Sequence, residues 1–355
     1  MKVPMNFDIT GEPAHTRCLA IALRQGKGEG EESSIDFRAD ILDLRKGGLM
    51  ELAGCYASAG IIHKMEVLGR FRLDTGEIEA IDWSQSHVAH EANDATRGEC
   101  CRDPMQRLGS LVGVPLGKAF ALEFKQRFGG PLGCSHITTL LQELSSVVTR
   151  LQRTGSAAPG HRREPGERIV TRSVFLDGHF TNGGATTEVS VRVAELEIGG
   201  KDESGNELFA SHDEARIVAE VDLTKRELLR VAGGQRTRSA SDGVQDPSPE
   251  ADRWTSRSED LSSFAGSSLS GGMARTCLER FGTAPEDELL LSAMLSLSPG
   301  MTQVAAALTD SSTRIQATGG RGPLKGGGPC FMLRSEGPLM ARLFGEDEPA
   351  EDQRS

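Results

Sequence analysis

The chain has 355 residues, of which 37% are apolar and 26% charged, a balance that suits about two globular domains with some polar, unpacked stretches. Its net charge of −11 repels nucleic-acid phosphates, and no basic stripe interleaved with aromatics offsets it. No run of eighteen apolar residues predicts a membrane span, and MKVPMNFDITGEP at the start lacks the apolar stretch of a signal peptide.

Strand-like alternation comes first, over Cys18 to Leu23, Ile35 to Leu44, Ile61 to Leu73 and, after the turn signal DTGE, Ile78 to Ile81. Helical patterning follows. Met105 to Val112 is a short candidate, and Pro115 to Phe128 has proline early and Gly129-Gly130 just past its end. Ile137, Leu140, Leu141, Leu144, Val147, Val148 and Leu151 then recur at three- and four-residue spacing, which predicts an amphipathic helix beginning near Ser135. Strands before helices argue for α+β, with an antiparallel sheet covered on one face. The basic run RLQRTGSAAPGHRREPGER reads as a solvated linker around 153–167.

A second set of strand segments follows at Arg168 to Leu176, Thr186 to Ile198 and Ala215 to Leu223. The polar run from about 232 to 263 holds too few apolar residues to keep itself folded and reads as a disordered insertion. Helical patterns resume at Leu269 to Phe281 and Glu286 to Leu297, and a last apolar segment spans Cys330 to Leu343 before an acidic tail at 344–355.

The two sets echo one another. HTRCLAIAL around Arg17 returns as VTRSVFLDG around Arg172, and FRADILDL returns as VRVAELEI, which sets Glu197 against Asp43. HKMEVLGRFRLD from His63 returns as HDEARIVAEVDL from His212, and LGKAFALEFKQRFGG as LSGGMARTCLERFGT. All four matches are collinear at offsets of 149 to 155 residues. The fold expected is therefore a pair of related α+β modules, 10–152 and 168–343, with a ligand pocket near their seam.

Seven cysteines, an odd number in a large chain with no secretion signal, are expected as reduced thiols in a cytoplasm. GGRG (Gly319 to Gly322) and GGGP (Gly326 to Pro329) lack the strand and helix context of a phosphate loop, and no GxGxxG is present, so no cofactor is expected. His87 and His90 are spaced to share a metal if helical, but SHVAHEAND reads as a loop.

The sharper constellation is His15-Thr-Arg17, Asp43, His63-Lys-Met65, Cys101 and Gly133-Cys134-Ser-His136. It resembles the bacterial family catalogued as domain of unknown function 2889, over roughly residues 10 to 152. That family shares an H-x-R start, an acid ending a strand, an H-x-M segment, a later Cys and a G-C-x-H before a helix. Members are linked to breakdown of lignin-derived aromatic dimers, including loss of formaldehyde from a phenylcoumaran without a redox cofactor. The resemblance implies a cofactor-independent lyase acting on a small aromatic substrate.

In that reading His63, His136, Tyr56 and Arg17 carry the chemistry, while Asp43, Met65 and Cys134 contact the substrate. Histidine suits both proton transfers because its pKa lies near neutrality, and an imidazole at a helix start is kept neutral by the dipole. The second set retains Arg172, Glu197 and His212 but has SPGMTQVAAAL in place of G-C-S-H, which favours the first set as the site. Bland alternatives stand beside each role. His63 also reads as a core histidine, Cys101 and Cys134 as packed thiols, Tyr56 as a packing residue, and Arg17 with Asp43 as a simple ion pair. A non-catalytic binding or accessory protein is a second reading. A third is a small zinc protein using His63, Cys101, Cys134 and His136. The composition leaves a homo-oligomer open.

Overall fold

A computed structural model describes residues 9–26, 34–52, 55–117, 119–154, 163–239, 254–269, 271–307 and 330–344. Nine strands form one antiparallel sheet: β1 (Glu12–Gln25), β2 (Ser34–Leu52), β3 (Cys55–Arg72), β4 (Ile78–His87), β5 (Arg168–Thr181), β6 (Thr186–Lys201), β7 (Glu207–Asp222), β8 (Glu227–Ser239) and β9 (Thr255–Ser256). Their order is β4-β3-β2-β1-β5-β6-β7-β8-β9, so β1 and β5 lie side by side at the centre and a meander runs outward from each. The strands are built by alternation. In β1, Leu19, Ile21 and Leu23 are buried with at most 2% exposure, and in β6 Val189, Val191 and Val193 are fully buried.

Among the described residues six α-helices accompany the sheet: α1 (Phe120–Phe128), α2 (Ser135–Thr154), α3 (Ser258–Ser262), α4 (Met273–Phe281), α5 (Glu288–Ala307) and α6 (Pro338–Phe344). The segment expected as a short helix at Met105 to Val112 is 3-10, over Asp103–Leu111. In α2 the residues at three- and four-residue spacing are the buried ones, from Ile137 to Leu151. By length and composition alone α5 is apolar enough to cross a membrane, but it lies against β1, β2, β5, β6, β7 and β8 as the central core helix. Close approach makes this possible. A Cβ at Gly300 would stand 2.2 Å from a methyl of Leu176, and one at Gly178 2.5 Å from a methyl of Val304.

Three expectations are corrected here. The insertion placed at 232–263 is smaller: β8 continues to Ser239, and Thr255 onward forms β9 and α3, leaving only 240–253 outside the described residues. Leu261 and Phe264 are buried in the core and Arg257 is clamped to Asp287 and Asp260, so the segment's few apolar groups suffice to dock it. The helix expected to end at Leu297 continues through Pro299 to Ala307, because Met301 and Val304 are buried against the sheet. Its start carries Asp287 and Glu288, so the segment before this helix is acidic and is not SPGMTQVAAAL. Finally, the acid facing Arg172 is Glu195, since the strand register sets those two side by side; Glu197 lies opposite Val170. Both Gly-rich runs (319–322 and 326–329), most of the linker and the tail from 345 fall outside the described residues.

Arg172 is fully buried and binds three carboxylates: Glu195 at 2.7 Å, Glu288 at 3.0 Å and Glu143 at 3.4 Å. Ser146 Oγ accepts a further bond at 2.9 Å, and Arg150 reaches Glu195 at 2.7 Å. This network ties α2 and α5 to the sheet. Arg172→Met leaves the acids buried without their cation and is expected to cost about 3–5 kcal/mol. Chemical denaturation checks it, and an unchanged unfolding midpoint would contradict the account.

Candidate active site

The inner face of the first meander sets the site out in register. Arg17 on β1 lies opposite Asp43 on β2, and Asp43 opposite His63 on β3. His15, two residues before Arg17 and on the same face, lies opposite Arg45. Irregularities cluster here. The register shifts between Pro13 and His15, between Asp43 and Leu44, and between Lys64 and Met65. Bulges of this kind bend a strand and re-aim its side chains, and they recur beside active sites.

The start of α2 completes the row. Gly133 passes so close to the end of α1 that a Cβ there would stand 2.1 Å from the Phe128 carbonyl oxygen. Phe331 donates its N–H to the Gly133 carbonyl at 2.8 Å, which holds the turn from the other side. From that turn His136 reaches down to Asp43, Nε2 to Oδ2 at 2.5 Å. Arg17 donates to the same carboxylate twice, Nε to Oδ1 and Nη2 to Oδ2, both at 2.8 Å. His15 Nε2 lies 3.4 Å from Oδ1. The His63 ring lies 4.0 Å from that of His136, centroid to centroid, tilted by 35°.

All of these groups are at least nine-tenths buried, and burial sets their protonation. It pushes the His15 imidazole down to about 4 and His90 likewise to about 4. It lowers His63 well below its ordinary value, an effect that a proton on His136 would reinforce. His136 is also lowered, chiefly by burial, with Asp43 opposing. Burial works to raise the Asp43 carboxyl, but the charges and hydrogen bonds of Arg17 and His136 outweigh it and hold Asp43 well below the usual carboxylate range. The resting state is an ionised Asp43 paired with Arg17 and ringed by neutral imidazoles. Asp43 requires the hydrogen of His136 on Nε2, which leaves Nδ1 with a lone pair to accept a proton.

A cavity of about 280 Å³ opens on this row. His15, His63, Cys134 and His136 line it, with Cys101, Arg45, Gln85 and His90. The opposite wall is mostly apolar and comes from the second meander and its helix, including Val221, Leu269 and Met301, and from Cys330 to Leu333. The antiparallel sheet explains the convergence: His15 near the start of β1, Arg45 late in β2 and Val221 at the end of β7 all lie toward the same ends of their strands.

The residues assigned from the sequence are thus divided. His63, His136 and Cys134 face the cavity, and Asp43 and Arg17 stand behind them as the expected ion pair. Met65 is 1% exposed and does not line the cavity: it shares the face of His63, but two residues farther along the strand it is packed within the hydrophobic core. Tyr56 lies on β3 near the hairpin tip, seven residues before His63, and its side chain is outside what the structure describes. His87 and His90 do not converge: His87 ends β4 exposed, whereas His90 turns into the cavity. Arg45 and Gln85 were not singled out in the sequence; His15 entered only as part of the H-x-R motif, which pointed at the arginine, and His90 only as a metal partner for His87.

Asp43, His63 and His136 each offer a ligand atom within 4.8 Å of the others, and this is the one such group among the described residues. Neither Cys101 nor Cys134 belongs to it, so the four-residue zinc set does not converge. Both Asp43 oxygens are already bonded to a fixed guanidinium, and a cation in this position would sit against that charge. The arrangement is suited to holding and moving a proton. An acid that fixes the tautomer of one imidazole, with that imidazole facing a closed, mostly apolar cavity, is the general pattern of a positioned base.

No curated protein and no solved structure matches the chain. Residues 15–150, which supply Arg17, Asp43, His63 and His136 together with their helix, match the family model of DUF2889, described as protein of unknown function.

Proposed function

We propose that the protein is a cofactor-independent carbon–carbon lyase that eliminates formaldehyde from a phenolic, lignin-derived aromatic dimer of the phenylcoumaran type. The observation that carries this reading is the Asp43–His136–His63 arrangement on one wall of a mostly apolar cavity. His136, oriented by Asp43, takes the phenolic proton as a quinone methide forms and the ring ether opens. The two rings lie too close to carry two charges, so the pair holds one proton at most and returns it to the ether oxygen. The side-chain hydroxyl then loses its proton as the carbon–carbon bond breaks. Formaldehyde leaves, the electrons restore the aromatic ring, and a stilbene remains. No electron is gained or lost overall. The free cysteines among the described residues suit a reducing, cytoplasmic setting.

The test is incubation of the purified protein with a phenolic phenylcoumaran. The expected result is formaldehyde and a stilbene chromophore in equal amounts, with no nicotinamide or flavin added. Absence of both products overturns the proposal. His136→Gln and His63→Gln are each expected to lower turnover by at least about 10²-fold, the lower bound for loss of a general base, with the melting temperature nearly intact. His212→Gln, in β7 and outside the cavity lining, is the control and leaves turnover unchanged. Unchanged turnover in His136→Gln, or its failure to fold, would make that histidine structural.

The same proposal includes an internal duplication, with the first module catalytic and the second serving as its wall. What supports it is correspondence of place. The first meander has four strands and the second has four long strands plus the two-residue β9 and the short α3; in each a nine-residue and then a twenty-residue helix follows. Arg17 faces Asp43 in one, and Arg172 faces Glu195 in the other. The position of His63 is taken by Asp213, opposite Glu195, and the second helix starts with Glu288. Where the first module keeps imidazoles on a cavity, the second has a packed ion network.

A further inference from the structure

Gln85 and His90 are each 6% exposed, and both line the cavity. Gln85 Oε1 and His90 Nδ1 are buried without any hydrogen-bond partner. Buried polar atoms are nearly always paired, so these two, which with ring nitrogens of His15 and His63 are unpartnered on the cavity lining, mark groups that wait for a ligand. They are held firmly. Arg102 donates from Nε to the Gln85 carbonyl at 2.9 Å and from Nη2 to Glu91 at 2.9 Å, while the Cys101 N–H reaches the His90 carbonyl at 3.1 Å. One short segment therefore fixes the backbone on either side of both side chains. Gln85 sits opposite Met65, two residues beyond His63 and across the bulge, and His90 is close enough to His63 for their charges to oppose. The polar wall thus extends from His136 through His63 to His90.

We propose that Gln85 and His90 form the subsite for the aliphatic hydroxymethyl arm of the substrate, with His90 taking the hydroxyl proton. This rests on the lyase reading and assigns its second proton transfer. Gln85 Oε1 accepts, and His90 Nδ1 accepts in the tautomer with its hydrogen on Nε2, so a hydroxyl can give its one proton to either in turn. As that O–H bond breaks, its proton passes to His90 and the oxygen's electrons form the carbonyl of formaldehyde. The carbon–carbon bonding pair becomes the new double bond and rearomatises the quinone methide to a phenolate. His90 then returns the proton to that phenolate, and the histidine ends as it began.

The experiment uses two unreactive ligands with the phenol O-methylated, one bearing the hydroxymethyl arm and one a methyl in its place. Titration calorimetry on the full chain gives their Kd ratio. The wild type is expected to prefer the hydroxymethyl ligand by about tenfold or more, because the methyl compound leaves the buried acceptors unpaired. Gln85→Leu and His90→Phe bring the ratio close to one, whereas His136→Gln keeps it. With the reactive substrate, His90→Phe lowers kcat by on the order of 10²-fold or more, and Gln85→Leu acts mainly on KM. Equal binding of the two ligands by the wild type, which needs no variant to fold, overturns the subsite while formaldehyde release leaves the lyase standing. A ratio unchanged in both variants overturns it equally. If the wild type binds neither ligand and releases no formaldehyde, the lyase reading falls and takes the subsite with it.

Discussion

Asp43→Asn should abolish most of the turnover, by a factor on the order of 10³–10⁴, the scale seen when a buried acid that sets a histidine's tautomer loses its charge. The amide occupies the same space, but one of its two positions becomes a donor. Asp43 now accepts from Arg17 Nε, Arg17 Nη2 and His136 Nε2, so a donor there meets a donor. His136 escapes by moving its hydrogen to Nδ1, which removes the lone pair from the cavity. The substitution also leaves Arg17, 3% exposed, without its counter-charge, and the expected cost is about 3–5 kcal/mol. Lost activity alone would therefore not separate chemistry from folding. The double variant Arg17→Met/Asp43→Leu does, because replacing both charges by apolar groups of similar size is often neutral for stability. It is expected to fold with a near-normal melting temperature and to stay inactive. Substantial turnover in that double variant would mean that Asp43 supports the fold and nothing more.

The parts of this site legible in the sequence were those set by local rules. Alternation places His15 and Arg17 on one face of β1, and Gly133 with the apolar spacing after Ser135 announces the start of α2. What was not legible depends on register and on distant parts of the chain. The register shift at Asp43/Leu44 leaves Ile62 unpaired beside His63, and the one at Lys64/Met65 leaves Ser86 unpaired and sets Gln85 opposite Met65, on the face that His63 and Met65 share. His90 turns inward because Cys101 and Arg102 grip its segment, a contact no spacing rule announces.

The glycine pair in β8 misled in the opposite direction, reading as a loop. Gly233 lies in the strand because a Cβ there would stand 2.2 Å from the Arg216 carbonyl oxygen, while its own carbonyl accepts from the Arg257 N–H at 2.9 Å. The echo between the two sets put Glu197 with Arg172, but the acid that the register sets opposite Arg172 is Glu195, two residues earlier, which like-for-like matching cannot see.

Acid should unfold this protein well above the pH at which its carboxylates titrate. His15 and His90 are held at about 4 by burial, against about 6.5 in an unfolded chain. Above pH 6.5 neither state binds a proton at these sites and the full stability is present. As pH falls from there towards 4, the unfolded chain takes up protons that the folded chain refuses, so the free energy of unfolding drops. Below about 4 both states are protonated and the loss from these two groups levels off. A shift of this size corresponds to roughly 3 kcal/mol for each histidine. Two such losses are a large share of the 5–15 kcal/mol typical of a folded domain. His63 and His136 are lowered as well and act in the same direction. Asp43, held low by Arg17 and His136 against its burial, adds its own loss below the usual carboxylate range. Urea unfolding followed from pH 7.5 to 4 should show the midpoint falling steadily below pH 6.5. His90→Phe, which removes one of the refused protons, should flatten the slope by about one proton's worth. A midpoint that is the same at pH 7 and pH 4.5 would mean that water or counter-ions already solvate these imidazoles, and the closed, neutral site described above would have to be given up.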